Sequence, residues 1–356
     1  SKTQTTRVPD KQHLKTLQER ISSYDYVITG GGIFGCYAAL YLNSQGASVC
    51  LIEKEPFLFQ KASLVNQARL HSGYHYPRSI ATAALSDAHK ARFTAEHRNF
   101  IHTNFEKYYA IDRYGSFTDP MQFERFCTYL NILCERVPTH PLFNFDRIES
   151  LYRTIEYTFD PVLLRAYYTK RVENTDGITV LKSTVVKKGT PQANKWHILV
   201  QTTGMHVREI VAGTVINATY AAINAINAAF EVALLDLTHE ISEIAFIDAP
   251  LFRNMGLTVM DGPFGSIMPY GKSGLLSLSS VAYTHHKIST HPLPSFDCQV
   301  PEAPECTPQA PGVCTECPRR PQSNAHKMVL QMGRYFRDDV YMTHLFSYFT
   351  IKTKLK

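Results

Sequence analysis

The chain has 356 residues, 44% of them hydrophobic, and a formal net charge of +6 whose basic residues are scattered and do not run together. That content can bury a large core, arranged as two lobes around a shared cleft. The charge pattern gives no support for nucleic-acid binding, and no apolar run approaches the ~20 residues that span a bilayer.

Ser1 to Ser22 is a polar lead-in with a short helical pattern through Leu14, Leu17 and Ile21 and no secretory hydrophobic region, so cytoplasm is the default location. Asp25 to Thr29 (DYVIT) is an apolar run that stops at Gly30, and Phe34 to Leu42 then carries apolar residues at helical spacing. Strand therefore feeds helix through Gly30, Gly32 and Gly35, in G-x-G-x-x-G register. The first glycine permits the turn, the second admits a pyrophosphate to the backbone around Ile33 and Phe34, and the third lets helix and strand pack closely. Ser48 to Ile52 is a second strand ending in Glu53 and Lys54, which puts the Glu53 carboxylate where a ribose hydroxyl is bound and argues against a 2′-phosphate.

NAD and FAD share this fingerprint, and the next segment separates them. It reads Ser63-Leu64-Val65-Asn66-Gln67-Ala68-Arg69-Leu70-His71-Ser72-Gly73-Tyr74-His75-Tyr76. Here the chain resembles the D-amino-acid-oxidase-like FAD oxidoreductases, the group holding glycine oxidase, sarcosine oxidase and L-2-hydroxyglutarate oxidase. The resemblance implies an α/β fold: a Rossmann-type FAD-binding domain with a parallel sheet, interleaved with a mixed-sheet α+β substrate domain. It also implies that Ser63, Asn66, Arg69 and His71 run along the flavin, with Arg69 standing where a small residue is common. Some relatives carry a histidyl flavin bond at the position of Asn66, so FAD is expected to be non-covalent.

Farther on, Ile80 to Glu106 lacks Gly and Pro and reads as one long amphipathic helix with His97 at the core edge. Lys107 to Phe117 reads as strand, and helices begin at Asp119-Pro120 and Asp160-Pro161, where Asp caps and Pro opens the first turn. Strand is expected over Ile148 to Thr158 and over Gly177 to Val186, then in a hairpin-like pair, Trp196 to Thr202 and His206 to Val211. The resemblance implies an adenine contact at Val185 and a return strand, Val215 to Tyr220, with small Ala218 near the dinucleotide and Tyr220 where glycine is usual. Leu251 to Ala282 is strand-like; as the implied ceiling over the flavin it makes Tyr270 a candidate donor to substrate.

His285 to Pro321 breaks the pattern, with eight prolines from Pro292 to Pro321. Within it, Cys298, Cys306, Cys314 and Cys317 are candidates for a four-thiolate structural zinc site, with free thiols or disulfides as the alternative. Cys36, Cys50, Cys127 and Cys134 read as small buried apolar residues. Met328 to Tyr341 reads as helix and Leu345 to Thr353 as strand, after which the glycine-rich turn and last helix implied by the resemblance have no counterpart.

The expected domains are a lead-in over 1–23, a FAD-binding domain over 24–110 and 176–230, and a substrate domain over 111–175 and 231–286. The excursion 287–325 and a C-terminal helix and strand, 326–356, complete the chain. The expected activity is hydride transfer to FAD from a CH–OH or CH–NH₂ group of a small polar substrate, a 2-hydroxy acid or amino acid, with oxygen or another acceptor taking the electrons onward. His71 and His75, titrating near neutrality, are the candidate bases, and Arg69 and Arg78 the candidate carboxylate holders. An NAD-dependent dehydrogenase and a non-catalytic protein that kept the dinucleotide fold stand as alternatives.

Overall fold

The computed structural model describes residues 21–356, so the expected helix near Leu14 to Ile21 lies outside the described residues apart from its end. Among them, the first strand, β1 (Ser22–Thr29), leads through the glycines into α1 (Ile33–Ser44) and on to β2 (Val49–Ile52). β1 lies parallel to β2 on one side and to strand Arg208–Asn217 on the other, and β2 is parallel to Ile178–Leu181. Strands Thr184–Gln192 and Lys195–Thr202 extend this six-stranded sheet antiparallel beyond Arg208–Asn217. Val49 to Ile52 is buried throughout, as a strand covered on both faces must be. The run Gly177 to Val186 makes two strands, not one, because Ser183 adopts φ +50 between them.

The second lobe is a nine-stranded mixed sheet. At its centre Met255–Met260 runs parallel to Glu106–Asp112, and at one end Thr343–Leu355 lies antiparallel along the whole of Leu237–Asp248. A third, three-stranded sheet joins Arg69–Leu70, Tyr157–Phe159 and Ile101–His102. This small sheet fixes the height at which Arg69 enters the second lobe.

The long helix expected over Ile80 to Glu106 is shorter than its pattern. It spans Ile80–Glu96 and ends where the His97 ring turns inward, its Nδ1 2.9 Å from the Phe93 carbonyl and its Nε2 2.6 Å from the Tyr168 hydroxyl. Ile101 and His102 then pair as strand, so tertiary pairing overrides the helical spacing of Phe100, Ile101 and Phe105. The two Asp-Pro starts are present. Asp119 accepts from the Gln122 amide in a capping box, and Asp160 accepts from the Leu163 amide at 2.9 Å. Helix Pro120–Leu130 stops short of Cys134 at Asn131, which is left-handed at φ 54. Helix Ala325–Gly333 begins and ends earlier than its sequence pattern.

Candidate functional site

The glycine turn has the geometry its spacing predicts. Gly30 sits at φ +103, and a Cβ there would lie 2.4 Å from the Ala218 carbonyl oxygen; a Cβ at Gly35 would lie 1.8 Å from the Gly30 carbonyl oxygen. Close approach of strand to strand and of helix to turn thus excludes any side chain at either place.

The turn opens on a groove with a volume of about 1290 Å³. Gly30, Gly32, Ile33 and Phe34 line its middle together with Glu53 and Lys54; Val185 and Ala218 line it with helix Ile223–Ala229, and Ser63 and Asn66 line the other end. Every residue expected to touch the dinucleotide except Gly35, Arg69 and His71 therefore faces one cavity. Gly35 is buried beneath the turn, and the other two lie beyond Asn66. The fit to a dinucleotide is physical: helix α1 has no side-chain cap at Gly32, whose missing side chain leaves a cradle at the positive end of the helix. A Cβ at Gly32 would meet the Ser63 hydroxyl at 2.8 Å. Glu53 is already braced, Oε2 accepting from the Gly31 amide at 2.7 Å and Oε1 from the Glu55 amide at 2.8 Å. Ser63 Oγ accepts from the Ile33 amide at 3.0 Å, and Asn66 ties its own turn, accepting from the Ala68 amide at 2.6 Å.

Tyr220, at the position where glycine was expected, takes the left-handed backbone that glycine favours, φ 54, and its hydroxyl accepts from the Thr353 amide at 3.0 Å.

Part of the proline-rich excursion closes the groove. Pro304, Glu305, Thr307 and Gln309 to Gly312 line it, and two lysines hold them: Lys54 donates to the Glu305 carbonyl at 3.3 Å and Lys61 to the Pro311 carbonyl at 2.8 Å. Both lysines also pair with Glu55 Oε1, at 2.9 and 3.0 Å. Burial would raise the Glu55 carboxyl, but Lys61 and Lys54 hold it below its ordinary value.

The expected zinc clip is not supported. Among the described residues no group of three or more His, Cys, Asp or Glu side chains is arranged to hold a metal ion. The four late cysteines are free thiols; Cys306 Sγ accepts from the Gly312 amide at 3.2 Å, and Cys298 and Cys314 pack against a cluster containing Phe296, Phe349 and Ile351. The loop is anchored by apolar packing, by the two lysines, by Thr315 bonded to the Phe349 backbone and by Asn224 donating to the Pro292 carbonyl.

Beyond Asn66 lies a buried polar cluster. Arg69 Nη2 donates to Thr258 Oγ1 at 3.0 Å and to Ser266 Oγ, and Arg69 Nε stands 3.3 Å from Glu156 Oε1. The Tyr109 hydroxyl lies 3.0 and 3.1 Å from the two Glu156 oxygens. Lys107, 2% exposed, donates to Thr258 Oγ1 at 2.5 Å with its Nζ 4.3 Å from the Tyr109 ring centroid. Arg69 Nη1 is 3.2 Å from His75 Nδ1, and His71 Nδ1 is 3.9 Å from Glu156 Oε2. Burial raises Glu156, yet the Arg69 guanidinium beside it holds it below the usual carboxylate value.

The two histidines do not titrate near neutrality. Burial lowers His71 to about 4, Glu156 opposing the shift and Arg69 adding to it. Partial desolvation, then Arg69, lower His75, an exposed residue, below its ordinary value. Both are neutral at pH 7.

Two other expected substrate contacts are engaged elsewhere. Arg78 pairs with Asp261 at the surface, its side chain 65% exposed, and its guanidinium lies over the Phe117 ring. Tyr270 is buried and donates to the Leu64 carbonyl at 2.5 Å, which bolts the second sheet to the Ser63–Asn66 turn.

A family model described as FAD dependent oxidoreductase matches residues 25–276, the stretch that holds the glycine turn and the Arg69 cluster. The chain belongs to the FAD dependent oxidoreductase family. Family membership decides between the two dinucleotides in favour of FAD. The FAD-dependent monooxygenase kojA of Aspergillus flavus is 53% identical over 55 residues, 15% of this chain and 13% of that one. The FAD-dependent monooxygenase FPY4 of Fusarium mangiferae is 32% identical over 99 residues, 28% of this chain and 27% of its own. These matches span under a third of either relative. Glycine oxidase from Geobacillus kaustophilus shares the fold with a TM-score of 0.64 at 14% identity, over 94% of this chain and 84% of that one. The FAD-bound L-alpha-glycerophosphate oxidase of Mycoplasma pneumoniae does so at 0.66, with the same identity and coverage. Among the described residues no helix is long and apolar enough to cross a membrane.

Sequence reasoning missed Glu156, Lys107, Tyr109, Thr258 and Ser266. One signal was present for Lys107: it heads the run KYYAID, and a lysine opening an otherwise buried strand is out of place unless it has polar partners.

Proposed function

We propose that the protein oxidises a CH–OH or CH–NH₂ group of a small carboxylic acid, a 2-hydroxy acid or an amino acid, with FAD held non-covalently in the groove. The observation that carries this reading is the buried, mainly basic cluster at the end of the Ser63–His71 segment, where Thr258 and Ser266 aim the Arg69 guanidinium and His71 Nδ1 is buried without a hydrogen-bond partner. A buried polar atom left unpaired costs about 1–3 kcal/mol, and a bound substrate would relieve it.

FAD would be held by the glycine turn, Glu53 and Lys54, with Val185 and Ala218 beside the adenine half, and would supply the hydride acceptor. Arg69 would hold the substrate carboxylate, its guanidinium already aimed by Thr258, Ser266 and Glu156. His71, neutral at pH 7, would accept the hydroxyl proton as the carbonyl forms; His75 would steady the Arg69 fork. Arg78 and Tyr270 would act through structure, on the Asp261 and Leu64 contacts. Oxygen or another acceptor would take the electrons onward.

Anaerobic bleaching of the yellow protein by a panel of 2-hydroxy acids and amino acids tests the reading. Bleaching by an acid, slowed at least tenfold in His71→Ala, is the expected result; bleaching by none of the panel would reject it. The names of the fungal relatives favour a second reading, monooxygenation, which needs an external reductant. Bleaching by reduced nicotinamide in place of an acid would select it.

A further inference from the structure

The cluster around Arg69 holds more basic groups than acidic ones. The titratable groups facing Lys107 are Arg69 from the small sheet, Glu156 from the turn before Tyr157–Phe159, Tyr109 from its own strand, and His71 and His75 from the loop after Arg69. Strands Met255–Met260 and Gly265–Pro269 add the Thr258 and Ser266 hydroxyls, which are neutral. Glu156, 1% exposed, is the one carboxylate among these groups, and it is committed to Arg69 and to the Tyr109 hydroxyl. The Lys107 stem is wedged against the neighbouring strand, where a Cβ at Gly256 would lie 3.1 Å from Lys107 Cδ, so the amine is held in place.

We propose that Lys107 is a further substrate-positioning residue of the Arg69 site, taking up a proton when the carboxylate of the substrate settles there. The inference rests on the acid-substrate reading and deepens it. Arg69 and Glu156 compensate each other, and burial, then Arg69, hold Lys107 well below its ordinary basicity, with Glu156 opposing them. An incoming carboxylate brings one uncompensated negative charge into a region closed to water. Leaving it unneutralised costs several kcal/mol, so the lysine amine takes a proton. The amine does so in preference to His71 or His75 because its intrinsic basicity is higher by about four pKa units. The His71 side chain is 33% exposed and Lys107 is 2% exposed, so solvent reaches the cluster from the His71 side.

The test is calorimetric titration of the FAD-loaded full chain with glycolate, in two buffers of different ionisation enthalpy and at two pH values above neutrality. The expected result is uptake of about one proton per glycolate bound and an affinity that falls about tenfold per pH unit between the free and bound pKa of the lysine. Lys107→Met should abolish the uptake and flatten the pH dependence, Lys107→Arg should bind glycolate without uptake, and His71→Gln should leave the uptake in place. Glycolate binding to the wild type with no proton uptake overturns the proposal while sparing the acid-substrate reading, and so does uptake that persists in Lys107→Met. The wild-type measurement decides even where a variant fails to fold. If no 2-hydroxy acid or amino acid of the panel bleaches the flavin, the acid-substrate reading falls and the proposal with it. If inorganic phosphate alone binds with uptake, the carboxylate assignment is overturned.

Discussion

Arg69 and Glu156 meet across the junction of the two lobes, Nε 3.3 Å from Oε1, with 5% and 0% of their side chains exposed. The pair joins the segment that leaves the dinucleotide groove to the turn that leaves the second sheet, so it is both a tie between lobes and the charge balance of the pocket. Glu156→Gln keeps the shape and removes the charge, stranding a buried guanidinium. The expected loss is about 3–5 kcal/mol of unfolding free energy, read by denaturant titration. A loss within about 0.5 kcal/mol would mean that water reaches Arg69 and that the pocket is not closed.

The same cluster sets an acid limit. His71 has a folded pKa of about 4, below the unfolded value of about 6.5, so below pH 6.5 the unfolded chain binds a proton that the folded one refuses. Its contribution is fully present above about pH 6.5 and is lost as pH falls toward about 4. Glu156, also depressed, adds loss only below its unfolded value of about 4.3. The melting temperature should therefore fall from pH 6.5 downward, and His71→Gln should flatten that slope. An unchanged slope would place the sensitivity elsewhere.

Gly35→Ala tests the turn. Its Cβ would fall 1.8 Å from the Gly30 carbonyl oxygen, a contact that only backbone movement relieves. The expected outcome is colourless protein destabilised by about 1–3 kcal/mol or more, measured by flavin absorbance per chain and by thermal unfolding. Yellow protein of normal stability would contradict the close helix–strand approach.

Tyr270 separates a structural from a catalytic role. Tyr270→Phe leaves the Leu64 carbonyl without its donor, and a loss of about 1–3 kcal/mol in stability is expected. The rate of flavin reduction should stay within about twofold of wild type, since the hydroxyl points at backbone. A rate loss of tenfold or more with stability intact would return Tyr270 to the substrate.

The nucleotide half of the fold was legible in the sequence because local chemistry dictates it. A strand, three glycines, a helix and an acid at the end of the next strand leave one physical arrangement, and Gly30, Gly32, Glu53 and Ser63 all reach the groove. The second half was less legible because its decisive contacts are distant in sequence: Lys107 meets Thr258 across 151 residues, and Arg69 meets Ser266 across 197. The surface pairing of Arg78 had the same cause, for its partner Asp261 lies 183 residues away. The helix over Ile80 to Glu106 was overread for a different reason, since spacing alone could not reveal that Ile101 and His102 would pair with Phe159 and Thr158.

The excursion offers the last test, because its role rests on two side chains. Lys61 reaches the Pro311 carbonyl at 2.8 Å and Glu55 at 3.0 Å, and Pro311 and Gly312 line the groove; Lys54 makes the matching reach to Glu305. A lysine hydrogen bond of this kind is worth about 1.5–3 kcal/mol when shielded, and less here because Lys61 is 33% exposed. Lys61→Ala should therefore weaken FAD retention by roughly three- to tenfold, chiefly through faster release, with a smaller effect on thermal stability of the FAD-free chain. Lys54→Ala alone should do less, since its carbonyl contact is longer, and the double variant should exceed the sum if the two lysines hold one wall. FAD release followed by fluorescence recovery measures all three. Equal release rates in wild type and double variant would show that the proline-rich wall stays shut without them.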